Sequence, residues 1–242
     1  MDKLLYTAVS GASRTLEAQA IRANNLANAN TAGFRADLER VQHHQLDGVG
    51  QPTRVLAQTQ SAGTSLSSGA MMATGRDLDV AIQGEGWFTV QVDDGEAYTR
   101  AGGFTLTDDG LLQLDGRLVM GIDGPLQLPE YRELEISKDG SVSVMPAEGG
   151  LTEEIGQLKL VNPDSALMSK ASDGLMRFDG GVAAPQDEEV ATVSGFLEGS
   201  NVQAIDELLA SMNLGRQFEV QIKLMKSAET LAQAGNRLVR GS

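Results

Sequence analysis

Apolar side chains recur at three- and four-residue steps from the start of the chain: Leu5, Val9, Ala12, Leu16, Ala20, Ala23 and Ala27. That spacing lines one face of a helix. Residues 3–28 contain no Pro and one Gly, Gly11. The seam is narrow and rich in Ala, and small side chains let helix axes approach closely, as in coiled-coil seams. The plain alternative is an amphipathic helix lying on its own domain's core. From about residue 76 the period becomes two. Leu78, Val80 and Ile82 alternate with polar neighbours, as do Phe88, Val90 and Val92, then Phe104 and Leu106, then Leu112 and Leu114. Leu134 and Ile136, Val142 and Val144, and Leu158 and Leu160 repeat it. Asp-Gly dipeptides, ending at Gly95, Gly110, Gly116, Gly124, Gly140, Gly174 and Gly180, punctuate the region. They supply the positive-φ positions of tight hairpins, so the middle reads as an antiparallel β domain.

Residues 45–75 between these regions are small and polar and read as an extended connector with short strands. Helical spacing returns after Ser200, which with Gln203 fits a capping box. Residues 201–239 contain no Pro, so this helix would be roughly 55–60 Å long at 1.5 Å per residue. Ile205, Leu208, Leu209 and Met212 form one stripe. Phe218, Ile222, Met225, Ala228 and Ala232 form a second on a different face, the change falling beside Gly215, where a bend is possible. A helix apolar on two faces needs more than one neighbour. The fold class is therefore α+β: long N- and C-terminal helices packing as a coiled-coil-like pair, plus a central antiparallel all-β domain. The expected domains are 1–35 with 200–242 (helical assembly), 36–75 (connector), 76–182 (acidic β domain) and 183–199 (return connector).

Four of the eight asparagines, Asn24, Asn25, Asn28 and Asn30, crowd into seven residues where the first helix should end. Asn competes for backbone hydrogen bonds and tolerates left-handed backbone, so Asn28 or Asn30, with Gly33, stops the helix. Asn24 and Asn25 lie earlier, beside Leu26. A buried Asn in a helix seam is costly unless it meets a polar partner, and so fixes register.

Charge sharpens the division. The net charge is −14, yet residues 41–195 alone carry 24 acidic and nine basic side chains, while both ends are near neutral. The middle would repel nucleic acid and anionic membrane; the ends meet copies of themselves without that penalty. There is no cysteine, which excludes disulfides, thiolate metal sites and a cysteine nucleophile. No apolar run approaches the ~18 residues of a membrane span. Ala27-Asn28-Ala29 resembles a signal-peptidase site, but Ser10, Arg14, Glu17, Gln19 and Arg22 interrupt what precedes it, so no cleaved signal is expected.

Catalytic motifs are missing: no G-x-S-x-G, H-E-x-x-H or phosphate-binding loop occurs. Gly84-Glu85-Gly86 lacks a third glycine and reads as a hairpin turn, and no Asp-Gly meets the EF-hand spacing. The adjacent His43 and His44 read as a solvated pair. Trp87 and Phe88 read as strand residues on opposite faces, with one of them in the core. No catalytic residue, cofactor, metal or small-molecule substrate is expected.

The stretch ANNLANANTAGFR (Ala23–Arg35) resembles the signature of the bacterial flagellar axial proteins, the rod, hook and hook-associated subunits. The resemblance continues in TGRDLDVAIQGEGWFTVQ (Thr74–Gln91), GGFTLTDDGLLQLDG (Gly102–Gly116) and GFLEGSNVQAIDELLASMNLGRQFEVQIKLMK (Gly195–Lys226). These four stretches lie in family order and are spread along most of the chain. The opening MDKLLYTAVSGASRTLEAQ and the length are most similar to proximal-rod members; distal-rod members are typically a little longer and begin differently. Ala32 departs from relatives that often carry Pro or a polar residue there, which leaves the turn less rigid.

The resemblance implies a structural subunit, not an enzyme. Terminal helices of neighbouring subunits would pack into the inner tube of an axial drive shaft that transmits torque from motor to hook, with the β domain outside. It implies partners among other rod subunits and copies of the chain, order in the terminal helices that depends on those partners, and passage from the cytoplasm through the flagellum's own type III export apparatus without cleavage. The expected location is the basal-body rod, spanning the periplasm. Expected intersubunit or interhelix contacts are Leu5, Val9, Ala12, Leu16, Asn25, Leu26, Asn28, Phe34, Ile205, Leu209, Met212, Phe218, Ile222 and Met225. The alternative in a different class is a soluble β-rich ligand-binding module with helical oligomerisation arms.

Overall fold

The computed structural model describes residues 2–45, 55–179 and 183–240, with side chains described for 6–39, 63–179, 183–235 and 237. The chain forms two compact units. The first comprises Met1–Ala27, Asp37–Gly63 and Gln203–Ser242; the second, Asn28–Ala36 and Thr64–Val202. The turn after the first helix thus belongs to the β unit, and residues 37–63 join the helices.

In the helical unit, α1 (Asp2–Ala27) packs against α2 (Ala204–Arg240). Thr15 meets Gln221 and Arg22 meets Glu207, so the helices run antiparallel. α2 does not begin at the expected capping box. Ser200 Oγ accepts instead from the Val202 amide in a local turn (3.2 Å), and the first helical bond runs from the Glu207 N–H to the Gln203 carbonyl (3.1 Å). Asp206 and Glu207 occupy the first turn, where a helix dipole favours negative charge. α2 continues through Gly215 without a break. The segment expected as a connector holds β1 (Asp37–Gln45) and β2 (Val55–Thr64), paired with each other, and β3 (Met71–Ala73). Leu38-Glu39-Arg40-Val41 has no period of two, and a strand without alternation leaves little signal in the sequence.

The β unit is antiparallel in every described ladder. After β4 (Val80–Gln83), a five-stranded sheet runs in the order Leu160–Val161, β5 (Trp87–Val92), β6 (Gly95–Thr99), Met176–Phe178, Met168–Lys170. The sheet is covered on both faces, which is why Trp87 and Phe88 are both buried rather than one of them. Phe88 and Val90 enter a large core with Val80, Ile82, Phe104, Leu112, Leu134, Val142 and Leu158. Trp87 enters a smaller cluster with Tyr98, Val161, Met176 and Ala184. Phe88 and Phe104 meet edge to face at 5.2 Å. Nearly all the alternating pairs read from the sequence line the large core. Gly84-Glu85-Gly86 does turn the chain, but β4 pairs with Ala191–Ser194 and β5 with β6, so the turn joins two sheets and closes no hairpin. A hairpin of the expected kind is Asp115-Gly116, with φ of 48° and 80°, which joins Leu112–Leu114 to Arg117–Leu118.

Candidate assembly surface

The α1 side of the seam between the helices is built from small and polar side chains. On α1 it runs through Ala12, Thr15, Ala18 and Asn25, all buried, with Ala8 and Arg22 half-buried. A Cβ at Gly11 would sit 2.9 Å from Gln221 Nε2, so Gly11 admits that side chain. Thr15 Oγ1 donates to its own helix at the Gly11 carbonyl (2.9 Å) and approaches Gln221 Oε1 (3.3 Å). On α2 the buried face passes through Glu207, Leu214, Phe218, Ile222, Met225 and Ala228. The α1 seam therefore lies one residue back from the stripe expected from apolar spacing. Ala8, Thr15 and Arg22 take the places of Val9, Leu16 and Ala23, a rotation of about 100°.

At the end of α1 the seam closes with a polar clamp. Asn25 is fully buried. Its amide nitrogen donates to the Asp37 carbonyl (3.0 Å) and to Glu207 Oε1 (3.3 Å), and its oxygen accepts from the Asp37 N–H (2.9 Å). Arg22 Nη1 donates to both oxygens of Glu207 (3.1 and 3.3 Å). Glu39 draws Arg14 (3.6 Å) and Arg22 (4.0 Å) to the same corner. One asparagine thus fixes the last turns of α1 against the start of β1 and the first turn of α2.

The displaced apolar residues face outward. Val9 is 52% exposed, Leu16 50%, Ile205 75% and Leu209 54%; Tyr6, Leu208, Met212, Val220, Leu224 and Leu231 are also exposed. Of the expected contact residues, Ala12 and Asn25 are buried within the pair, Leu26, Phe218, Ile222 and Met225 are half-buried, and Val9, Leu16, Ile205, Leu209 and Met212 are open. Leu5 lies on α1 with its side chain outside the described residues. Asn28 and Phe34 belong to the β unit. The Asn28 carbonyl accepts from the Thr31 N–H (3.1 Å), its Oδ1 accepts from Thr31 Oγ1 (3.2 Å), and neither Asn28 nor Asn30 adopts positive φ. Gly33 does, at +70°, and a Cβ there would stand 2.1 Å from the Ala101 nitrogen. Lys170 Nζ lies 4.0 Å over the Phe34 ring.

Four residues that the sequence reading passed over organise these ends. Glu207 looks like an ordinary first-turn acid until Arg22 and Asn25 bury it. Within the β unit, Asn201 Oδ1 accepts from the Ala36 N–H (2.8 Å) and its Nδ2 donates to the Ser65 and Ser67 carbonyls (3.0 and 2.9 Å). Arg35 Nη2 donates to Glu198 Oε1 (2.8 Å), both residues buried. Nothing in one-dimensional spacing pairs residues 163 positions apart. Among the described residues no group of three potential metal ligands occurs, and no helix is long and apolar enough to cross a membrane.

The helical unit leaves apolar faces open and the other unit is acidic and all β, and comparison with known proteins gives the class of this chain. Residues 5–35 match the family described as flagella basal body rod protein, residues 81–144 the flagellar hook protein FlgE/F/G D1 domain, and residues 193–238 the flagellar basal body rod FlgEFG protein C-terminal region. The chain belongs to the family of flagellar basal-body rod proteins and is a structural subunit of the rod. It is 38% identical over 248 residues to the flagellar basal-body rod protein FlgF of Escherichia coli K12, with 99% of each chain covered. It is 37% identical to FlgF of Salmonella typhimurium at the same coverage. To the rod protein FlgG of Bacillus subtilis it is 32% identical over 258 residues, 96% of this chain and 97% of that protein.

Proposed function

We propose that this subunit takes a place in the proximal rod and assembles with copies of itself and with other rod subunits through the outer faces of α1 and α2. A drive shaft needs contacts that do not let go under torque, and no chemistry. The observation that carries the reading is where the apolar residues of the helix pair lie: α1 gives small and polar side chains to the inner seam, while Val9, Leu16, Ile205, Leu209 and Met212 face out. A pair stable for its own sake would bury more of these residues, since each is worth about 1.5–3 kcal/mol when fully covered. The near-neutral helical ends and strongly acidic centre favour contact through helices over contact through β units. Delivery through the flagellar export apparatus belongs to the same proposal.

Leu16→Asp tests it. Leu16 is half-exposed, so the purified variant should keep the parent's helical circular dichroism and β-unit stability. In a strain lacking the native copy it should abolish motility, because a carboxylate would enter an apolar contact at a cost of several kcal/mol. Normal swimming with this variant would remove the assembly role of that face.

A further inference from the structure

Glu198 closes the strand Phe196–Glu198, paired with β3, and its carboxylate is 1% exposed. Oε1 accepts from Arg35 Nη2 (2.8 Å) and from the Gly69 N–H (2.7 Å); Oε2 accepts from Arg100 Nη1 (3.0 Å). Its backbone carbonyl accepts from the Gly33 N–H (2.7 Å). Arg35 and Arg100 are each 3% exposed, and their guanidinium carbons lie 5.8 and 5.4 Å from the Trp87 ring. Arg100 Nη2 also holds the Gly84 carbonyl (2.7 Å), and Lys170 Nζ holds the Arg35 carbonyl (2.8 Å). Two buried cations thus share one carboxylate. They come from the turn before β1, from the end of β6, and, for the acid, from the return to α2.

We propose that Glu198 is a positioning residue that makes docking of the turn at 28–36 and of the return segment at 195–201 a single event within the β unit. Without the return segment, Arg35 and Arg100 are two like charges beside an indole with no buried anion between them, and an unpaired buried charge is strongly unfavourable. Without the turn, Glu198 keeps only Arg100 and one amide. Each segment therefore supplies what the other needs, which is a reciprocal coupling. Burial holds the Arg100 guanidinium below its ordinary pKa, and Glu198 opposes that shift. Such clusters stabilise less than apolar packing of equal volume, and their attested use is to specify one arrangement. The segments so placed are the ones that leave α1 and enter α2. This coupling is internal to the β unit and stands whichever partners cover the helices.

The test uses the full-length chain. Glu198→Ala, or Glu198→Gln if the first does not fold, is compared with Arg35→Met/Arg100→Met/Glu198→Leu by amide hydrogen exchange and by fluorescence of Trp87, the single tryptophan. The single variants should speed exchange of the Gly33 and Gly69 amides together by about ten-fold or more while the sheet of residues 131–157 keeps its protection. Trp87 emission should move to the red. The triple variant should restore Trp87 emission but leave Gly33 and Gly69 fast, a split that a merely stabilising role would not give. Acceleration at Gly69 alone would overturn the coupling, as would uniform acceleration across the unit or full recovery of both glycines in the triple variant.

Discussion

Asn25 gives the sharpest quantitative prediction. Replacing it by Ala removes both hydrogen bonds to the Asp37 backbone and one to Glu207. Hydrogen bonds contribute about 1 kcal/mol each on balance. Glu207 keeps Arg22, and Asp37 is only half-buried, so water recovers part of the loss. Asn25→Ala should therefore cost about 2 kcal/mol. Asn25→Asp keeps an acceptor for the Asp37 N–H but loses the donor, and it places a carboxylate where an amide nitrogen now stands 3.3 Å from Glu207 Oε1. Two like charges at about 4 Å repel by about 4 kcal/mol at an effective dielectric constant near 20, so this variant should be the worse of the two at pH 7. That repulsion raises the new carboxyl's folded pKa above its unfolded value. Its penalty is then absent below the ordinary carboxylate range and grows as pH rises through it. The assay is amide exchange along residues 18–27, with helical circular dichroism during urea unfolding, at pH 4 and pH 7. Equal cost for the two variants at pH 7, or a gap that ignores pH, would refute the reasoning.

Two further perturbations act on the β unit. Gly33→Ala must abandon a φ of +70° or drive its methyl into the Arg100–Ala101 backbone at 2.1 Å; we expect a loss of more than about 2 kcal/mol, read as a lower urea midpoint for Trp87 fluorescence. Tyr98 is buried, accepts from the Ala184 N–H (2.8 Å) and donates toward Glu96 Oε2 (3.3 Å). Its phenol is held above the ordinary value of about 10, chiefly by burial. Its contribution is complete below pH 10 and is lost as pH rises through the higher folded value. The thermal midpoint should therefore fall above pH 10, and Tyr98→Phe should flatten that fall; an unchanged slope would remove Tyr98 from the account.

The large core was legible because alternation in a half-buried strand is a local rule. Phe88, Val90, Leu112, Leu134 and Val142 could be placed by counting in twos, and α1 and α2 by counting in threes and fours. Asn25 stood out in the sequence because its type is wrong for a helix interior. The face on which α1 meets α2 was not. Apolar spacing marks a surface that needs cover, and it does not say whether the cover comes from the same chain; the seam went to Ala8, Thr15 and Arg22 because Gln221 and Glu207 lie opposite. The polar ribbon of β1 and β2, the sheet-to-sheet role of Gly84–Gly86 and the second core around Trp87 likewise depend on pairings made far along the chain. The sequence by itself determined which elements form and that its two ends carry apolar surface in excess, since both follow from residue type and local period. Only the tertiary structure decided which of that surface is used internally, and that a single carboxylate at Glu198 gathers Arg35, Gly69 and Arg100, because a contact across 163 residues leaves no periodic trace in one dimension.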